Sequence, residues 1–122
     1  MTQSTVRSHH LKRTAYVYVR QSSPNQVRKN REGRQRQQAM VEHVVTLGWP
    51  RSQVTLLDGD TGRSGSSQHG RMELQTLLEA IVTDKAGLVS ARELSRLVRD
   101  NQDWAQVVRL CRFKDVLLAD ER

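Results

Sequence analysis

Short apolar runs alternate with longer amphipathic stretches along this chain, and that alternation limits its possible folds more than any other feature. From Thr14 to Val19 the residues are β-branched or aromatic and almost continuously apolar, which predicts a strand buried on both faces. Gln53 to Leu57, Leu88 to Ser90 and Val116 to Leu118 read as three further strands. Between them lie helical patterns. One runs from about Arg34 to Leu47, with Gly48 as its C-terminal cap and Pro50 forbidding continuation. Leu74, Leu77, Leu78 and Ile81 recur at i, i+3, i+4, i+7, and so do Trp104, Val107, Val108 and Cys111. This order predicts an α/β fold, with a mostly parallel central sheet of about four to five strands and helices on both faces. Ligands of such sheets sit outside the carboxyl ends of the strands.

At 122 residues the chain supports one domain with a modest core, aliphatic because aromatics are 4% of the sequence. No apolar run approaches the roughly 20 residues of a membrane span, and no apolar stretch follows the N-terminal charges as in a secretory signal. A single cysteine, Cys111, rules out an intrachain disulfide and suits a cytoplasmic location. Charge is strongly localised. Residues 1–36 carry nine basic side chains against Glu32 alone, whereas the remainder carries eleven basic and twelve acidic ones. A concentrated basic stretch favours a polyanionic partner, though a solvated arm explains charge alone equally well. Residues 1–13 read as a flexible basic arm. His9-His10 within it reads as inert, since zinc sites need about four ligands.

The predicted carboxyl edge gathers polar residues from distant parts of the chain. Arg20, Gln21, Ser22 and Ser23 follow the first strand before Pro24 ends the pattern. Residues 21–34 read as a long loop, which in a compact domain is usually functional. Asp58 to Gly70 reads as a second loop, with Gly59, Gly62, Gly65 and Gly70 interleaved with Ser64, Ser66 and Ser67. Arg71 follows it. Arg92 to Asp100 places Arg96 and Arg99 three residues apart, on one face if helical. Arginine forks match phosphate oxygens and stay charged at any working pH. Several of them around the Ser22 hydroxyl suit in-line displacement at phosphorus and ease formation of the alkoxide. Other chemistries are poorly supplied. There is no Gly-x-Ser-x-Gly elbow, no Walker loop and no dinucleotide fingerprint. Asp58 and Asp60 are the only near pair of carboxylates on that edge, so a metal is possible but unneeded. Taken singly each residue has a plainer reading: Arg20 as a surface charge, Ser64 as a turn residue, Asp60 as a loop cap, Arg96 and Arg99 as a solvated face, Cys111 as core.

The set Tyr18-Val19-Arg20-Gln21-Ser22, Asp60-Thr61-Gly62-Arg63-Ser64-Gly65 with Arg71, and Ser95-Arg96-Leu97-Val98-Arg99-Asp100 with Trp104 resembles the catalytic domain of the serine recombinases, the resolvase/invertase family, and especially its large serine recombinase branch. The likeness runs from about residue 14 to 120. It implies a resolvase-like fold over residues 14–122, DNA as partner, and Ser22 as a nucleophile that forms a covalent 5′-phosphoserine link without metal, ATP or other cofactor. It further implies that Arg20, Arg71, Arg96 and Arg99 bind and activate the scissile phosphate, that Gln26 and Ser64 support it, and that Asp60 organises its loop. Ser23 is the competing hydroxyl; the family's Arg-x-Ser spacing selects Ser22. Two departures accompany the likeness. Ser95 stands where many small resolvases carry an aspartate. The chain also stops at Arg122, before the helix that in the family makes dimers and tetramers and before the DNA-binding domains. It therefore reads as a truncated catalytic domain, with a catalytically silent DNA- or recombinase-binding remnant as the alternative.

Overall fold

In the computed structural model, which describes residues 6–20, 31–60, 66–100 and 102–121, a short helix α1 (Ser8–Leu11) precedes strand β1 (Thr14–Arg20). Helix α2 (Arg31–Leu47) and a single 3-10 turn lead into β2 (Val54–Asp60). Helix α3 (Ser66–Val82) and β3 (Ala86–Arg92) follow. Helices α4 (Leu94–Asp100) and α5 (Gln102–Lys114) then reach β4 (Leu117–Glu121). The four strands form one sheet in the order β2-β1-β3-β4, and every neighbouring pair is parallel. The predicted α/β architecture with helices on both faces is the one observed.

The sheet alternates its residues between two cores, as the period of two demands. Tyr18, Val89 and Ala91 join Leu74, Leu77 and Ile81 of α3 and Trp104, Val107 and Cys111 of α5. Ala15, Val17, Leu88, Leu117 and Ala119 face the other way, onto Met40 and Val44 of α2 and onto Trp49. Topology explains the division. The chain steps one way from β1 to β2, then back past β1 to β3 and on to β4. Crossovers of constant hand put α2 on one face and α3 and α5 on the other.

Several boundaries differ from expectation: β3 runs Ala86–Arg92 rather than Leu88 to Ser90, and β4 runs Leu117–Glu121 rather than Val116 to Leu118. Helix α2 starts at Arg31, inside the segment read as loop 21–34. Strand β2 continues to Asp60 and α3 begins at Ser66, so Asp58 to Asp60 are strand and Ser66 to Gly70 are helix rather than loop, and residues 61–65 lie outside the described set. Apolar packing by Leu74 and Leu77 extends the helix through a glycine that costs about 1 kcal/mol there.

The largest difference lies at the N-terminus, where residues 6–13 are packed rather than arm-like. Leu11 and Val6 join the α2-side core, His10 is 2% exposed, and α1 packs against β3. The segment is pinned by distant partners. His9 Nε2 lies 2.7 Å from Asp115 Oδ2, and His10 Nε2 lies 3.1 Å from the Asp115 carbonyl oxygen. The Trp49 indole N–H donates to the Arg13 carbonyl at 2.9 Å. Gly87 makes the close approach possible, because a Cβ there would stand 2.3 Å from the His10 carbonyl oxygen. That atom is backbone and cannot swing away. Gly87→Ala is therefore expected to lower stability by about 1–3 kcal/mol, the usual range for overpacking, and to expose residues 6–13 to protease. Urea unfolding and limited proteolysis would read both effects, and unchanged cleavage near the N-terminus would contradict the packing described.

Cys111 belongs to the α3/α5 core with no exposed surface, and burial pushes its thiol up to about 12. Since the thiolate is the reactive form, a disulfide reagent should titrate no thiol in the folded protein at pH 8. One thiol should appear after unfolding in guanidinium. Prompt native labelling would place Cys111 outside the core.

Candidate functional site

All four strands are parallel, so their carboxyl ends share one edge of the sheet. Arg20 ends β1 and Asp60 ends β2, and the two residues are register partners across the strand pair. The sequence set them forty residues apart, yet it selected both for this edge. The order β2-β1-β3-β4 reverses direction at β1, with β2 reached to one side and β3 to the other. Such a reversal leaves a crevice beyond the carboxyl end of the strand where the two halves diverge, the usual ligand position in doubly wound sheets. The chain leaves β1 at Arg20, beside that crevice.

Two helices start from the same edge. Arg71 is the sixth residue of α3, in its second turn. Helix α4 starts two residues after the end of β3, with Glu93 alone between them. It carries Arg96 and Arg99 three residues apart, and the Arg99 side chain is exposed. Leu97 is buried among Tyr18, Trp104 and Val107, which fixes the inward side of this two-turn helix. Ser95, the departure from the small resolvases, is exposed. The backbone thus brings Arg20, Asp60, Arg71, Arg96 and Arg99 to one edge. Of Arg20, Asp60, Arg71 and Arg96 the structure describes the backbone, and Ser22, Gln26 and Ser64 lie outside the described residues.

Sequence reasoning missed one participant. Asp120 on β4 accepts a hydrogen bond from the Leu94 backbone N–H at 2.9 Å, at the first residue of α4. The two residues are 26 apart, and no local pattern marks the contact.

At the opposite end of the sheet, the side-chain ligand atoms of His9, His10 and Asp115 lie within 4.8 Å of one another, a grouping of metal-ligand types. No local sequence pattern marks Asp115 as a partner of the two histidines. The surrounding hydrogen bonds nevertheless oppose a metal. The Arg7 N–H donates to His10 Nδ1 at 3.0 Å, so the neutral ring carries its proton on Nε2, the nitrogen facing Asp115. A metal-bound histidine ordinarily donates from its other nitrogen to an acceptor, the reverse of the arrangement found. The Asp115 carboxyl is held below its usual range chiefly by the hydrogen bond from His9. The cluster is better described as the anchor of residues 6–13.

Fold and edge together define a class: a doubly wound α/β domain with arginines and a β1 exit gathered at its switch point. The chain belongs to the resolvase N-terminal domain family, whose model matches residues 15–121. It is also 41% identical over 112 residues to an uncharacterized protein, y4bA/y4pH, of Sinorhizobium fredii. That match covers 92% of this chain and 16% of the relative, so the chain spans about one sixth of that protein's length. No solved structure matches. Among the described residues no helix is long and apolar enough to cross a membrane.

Proposed function

We propose that this is the catalytic domain of a site-specific DNA recombinase of the large serine branch. In this reading Ser22 Oγ attacks the scissile phosphorus, forms a phosphoserine at the 5′ end, and releases the 3′ oxygen as a hydroxyl. The phosphodiester energy is kept in the new bond, so rejoining needs neither ATP nor metal. Arg20, Arg71, Arg96 and Arg99 hold the phosphate and stabilise charge that grows on its oxygens in the transition state. Gln26 and Ser64 contribute further hydrogen bonds, and Asp60 organises the loop after β2. Ser22 follows Arg20 by two residues in sequence, and Arg20 ends β1 at the switch point. The observation that carries the reading is this coincidence of the β1 exit with the start of the arginine-bearing helix α4.

DNA is the proposed partner, and self-association into dimers and tetramers is proposed for the complete recombinase. The domain alone is expected to support little or no full recombination. Its half-reaction is testable on a nicked duplex labelled separately at each new end. The expected product is protein joined to the 5′ end with a free 3′ hydroxyl, formed equally well in chelator. Linkage to the 3′ end, or loss of activity with chelator, would sink the proposal.

A further inference from the structure

The proposed phosphate arginines Arg96 and Arg99 ride on a helix of seven residues. Two turns are too short to hold a direction by themselves, because an isolated helix of that length is unstable in water. What aims α4 therefore decides where its arginines stand.

Its start is unusual. The Glu93 carbonyl accepts the first helical bond, from Leu97 N–H at 3.1 Å, which makes Glu93 the residue that opens the helix. Such a residue normally has extended backbone and a short side chain that caps the free N–H groups. Glu93 instead has φ 52, in the left-handed region that glycine favours. Left-handed backbone in a residue other than glycine costs energy and persists where surrounding contacts enforce it. The cap comes from across the sheet. The Asp120 carboxylate on β4 accepts from Leu94 N–H at 2.9 Å. β4 pairs directly with β3 through Ser90↔Ala119 and Ala91↔Asp120, so the carboxylate is held by the same strand ladder that ends in α4. On the inward side, Leu97 in the core with Trp104 supplies the second fixed point.

We infer that Asp120 is a positioning residue of the proposed strand-cleavage site: it fixes the origin of α4 and so the placement of Arg96 and Arg99 toward the scissile phosphate. The inference rests on the proposed recombinase reading. Asp120 touches no reacting atom; it acts through the backbone of Leu94. Its charge also favours the positive start of the helix.

Asp120→Ala and Asp120→Asn separate the possibilities, because asparagine keeps an oxygen that accepts from Leu94 N–H and loses the charge. Two readouts are taken on each variant of this chain. One is amide exchange across α4 by NMR; the other is covalent adduct formation on a nicked duplex at saturating DNA. Asp120→Ala should raise Leu94 amide exchange about 10-fold, as expected for losing a charge-assisted bond. It should slow adduct formation about 10- to 100-fold with half-saturating DNA unchanged, the scale of effect that a small misplacement has. Asp120→Asn should stay within about 3-fold of the parent in both. An Asp120→Ala protein with parental exchange at Leu94 and parental adduct rate overturns the inference. So does an Asp120→Asn protein as slow as Asp120→Ala, which would assign the effect to charge rather than to the cap. If the parent chain forms no adduct, the recombinase reading fails. Unchanged Leu94 exchange in Asp120→Ala fails the anchoring of α4 independently.

Discussion

Trp104→Ala is expected to destabilise the folded domain by about 3–5 kcal/mol, the range for deleting a buried aromatic side chain. Trp104 has no exposed surface and packs edge-on against Tyr18, with ring centroids 4.9 Å apart at 64°. Such pairs contribute beyond their buried area. The chain has five aromatic residues; Phe113 is 84% exposed and Tyr16 half-buried, so the fully buried aromatics are Tyr18, Trp49 and Trp104. Against a typical domain stability of about 5–15 kcal/mol, this one change removes a large fraction. Its reach is functional as well. Tyr18 lies two residues before Arg20, and Leu97 of α4 shares the same core cluster, so Trp104 sits where the exit strand and the arginine helix meet. The indole N–H has no hydrogen-bond partner among the described residues. Trp104→Phe removes that orphan donor and keeps most of the ring, so it should cost far less than alanine. Urea unfolding followed by circular dichroism measures both. A loss below about 1 kcal/mol for Trp104→Ala would contradict the buried pair, since that is the range of surface substitutions.

Local pattern made the core legible and left the long-range fixings hidden. The i, i+3, i+4, i+7 sets on α3 and α5 put Leu74, Leu77, Leu78, Ile81, Trp104, Val107, Val108 and Cys111 in the core; six of them are buried, and the i+4 members Leu78 and Val108 are half-buried. Cys111 as an inert core thiol follows from the same pattern. The carboxyl-edge rule assigns Arg20 and Asp60 to a common edge, and they are register partners there. Glycine density misled the reading of Asp58 to Gly70, because glycine signals backbone freedom while tertiary packing decides whether it is used. The N-terminal segment was misread for a different reason. Arg7, Lys12 and Arg13 dominate its composition, whereas its anchors are Asp115, Gly87 and Trp49, each set by the folded sheet rather than by neighbours in sequence. Asp120 was invisible likewise, since a helix cap is sought among the residues just before the helix and this one comes after it, from β4.

The proposed chemistry stands or falls on Ser22. Arginines at a sheet edge can bind phosphate without cleaving it, and the neighbouring Ser23 offers a second hydroxyl. Substitution to alanine removes one oxygen and leaves the charge around the phosphate intact, so DNA binding should persist while attack at phosphorus cannot occur. Arg20→Ala, by contrast, should weaken binding as well as chemistry. The decisive measurement is the covalent protein–DNA adduct on a nicked duplex, resolved under denaturing conditions, for the parent chain, Ser22→Ala and Ser23→Ala. Adduct is expected in the parent and in Ser23→Ala, and none in Ser22→Ala. An adduct that survives in Ser22→Ala and disappears in Ser23→Ala would contradict the proposed chemistry.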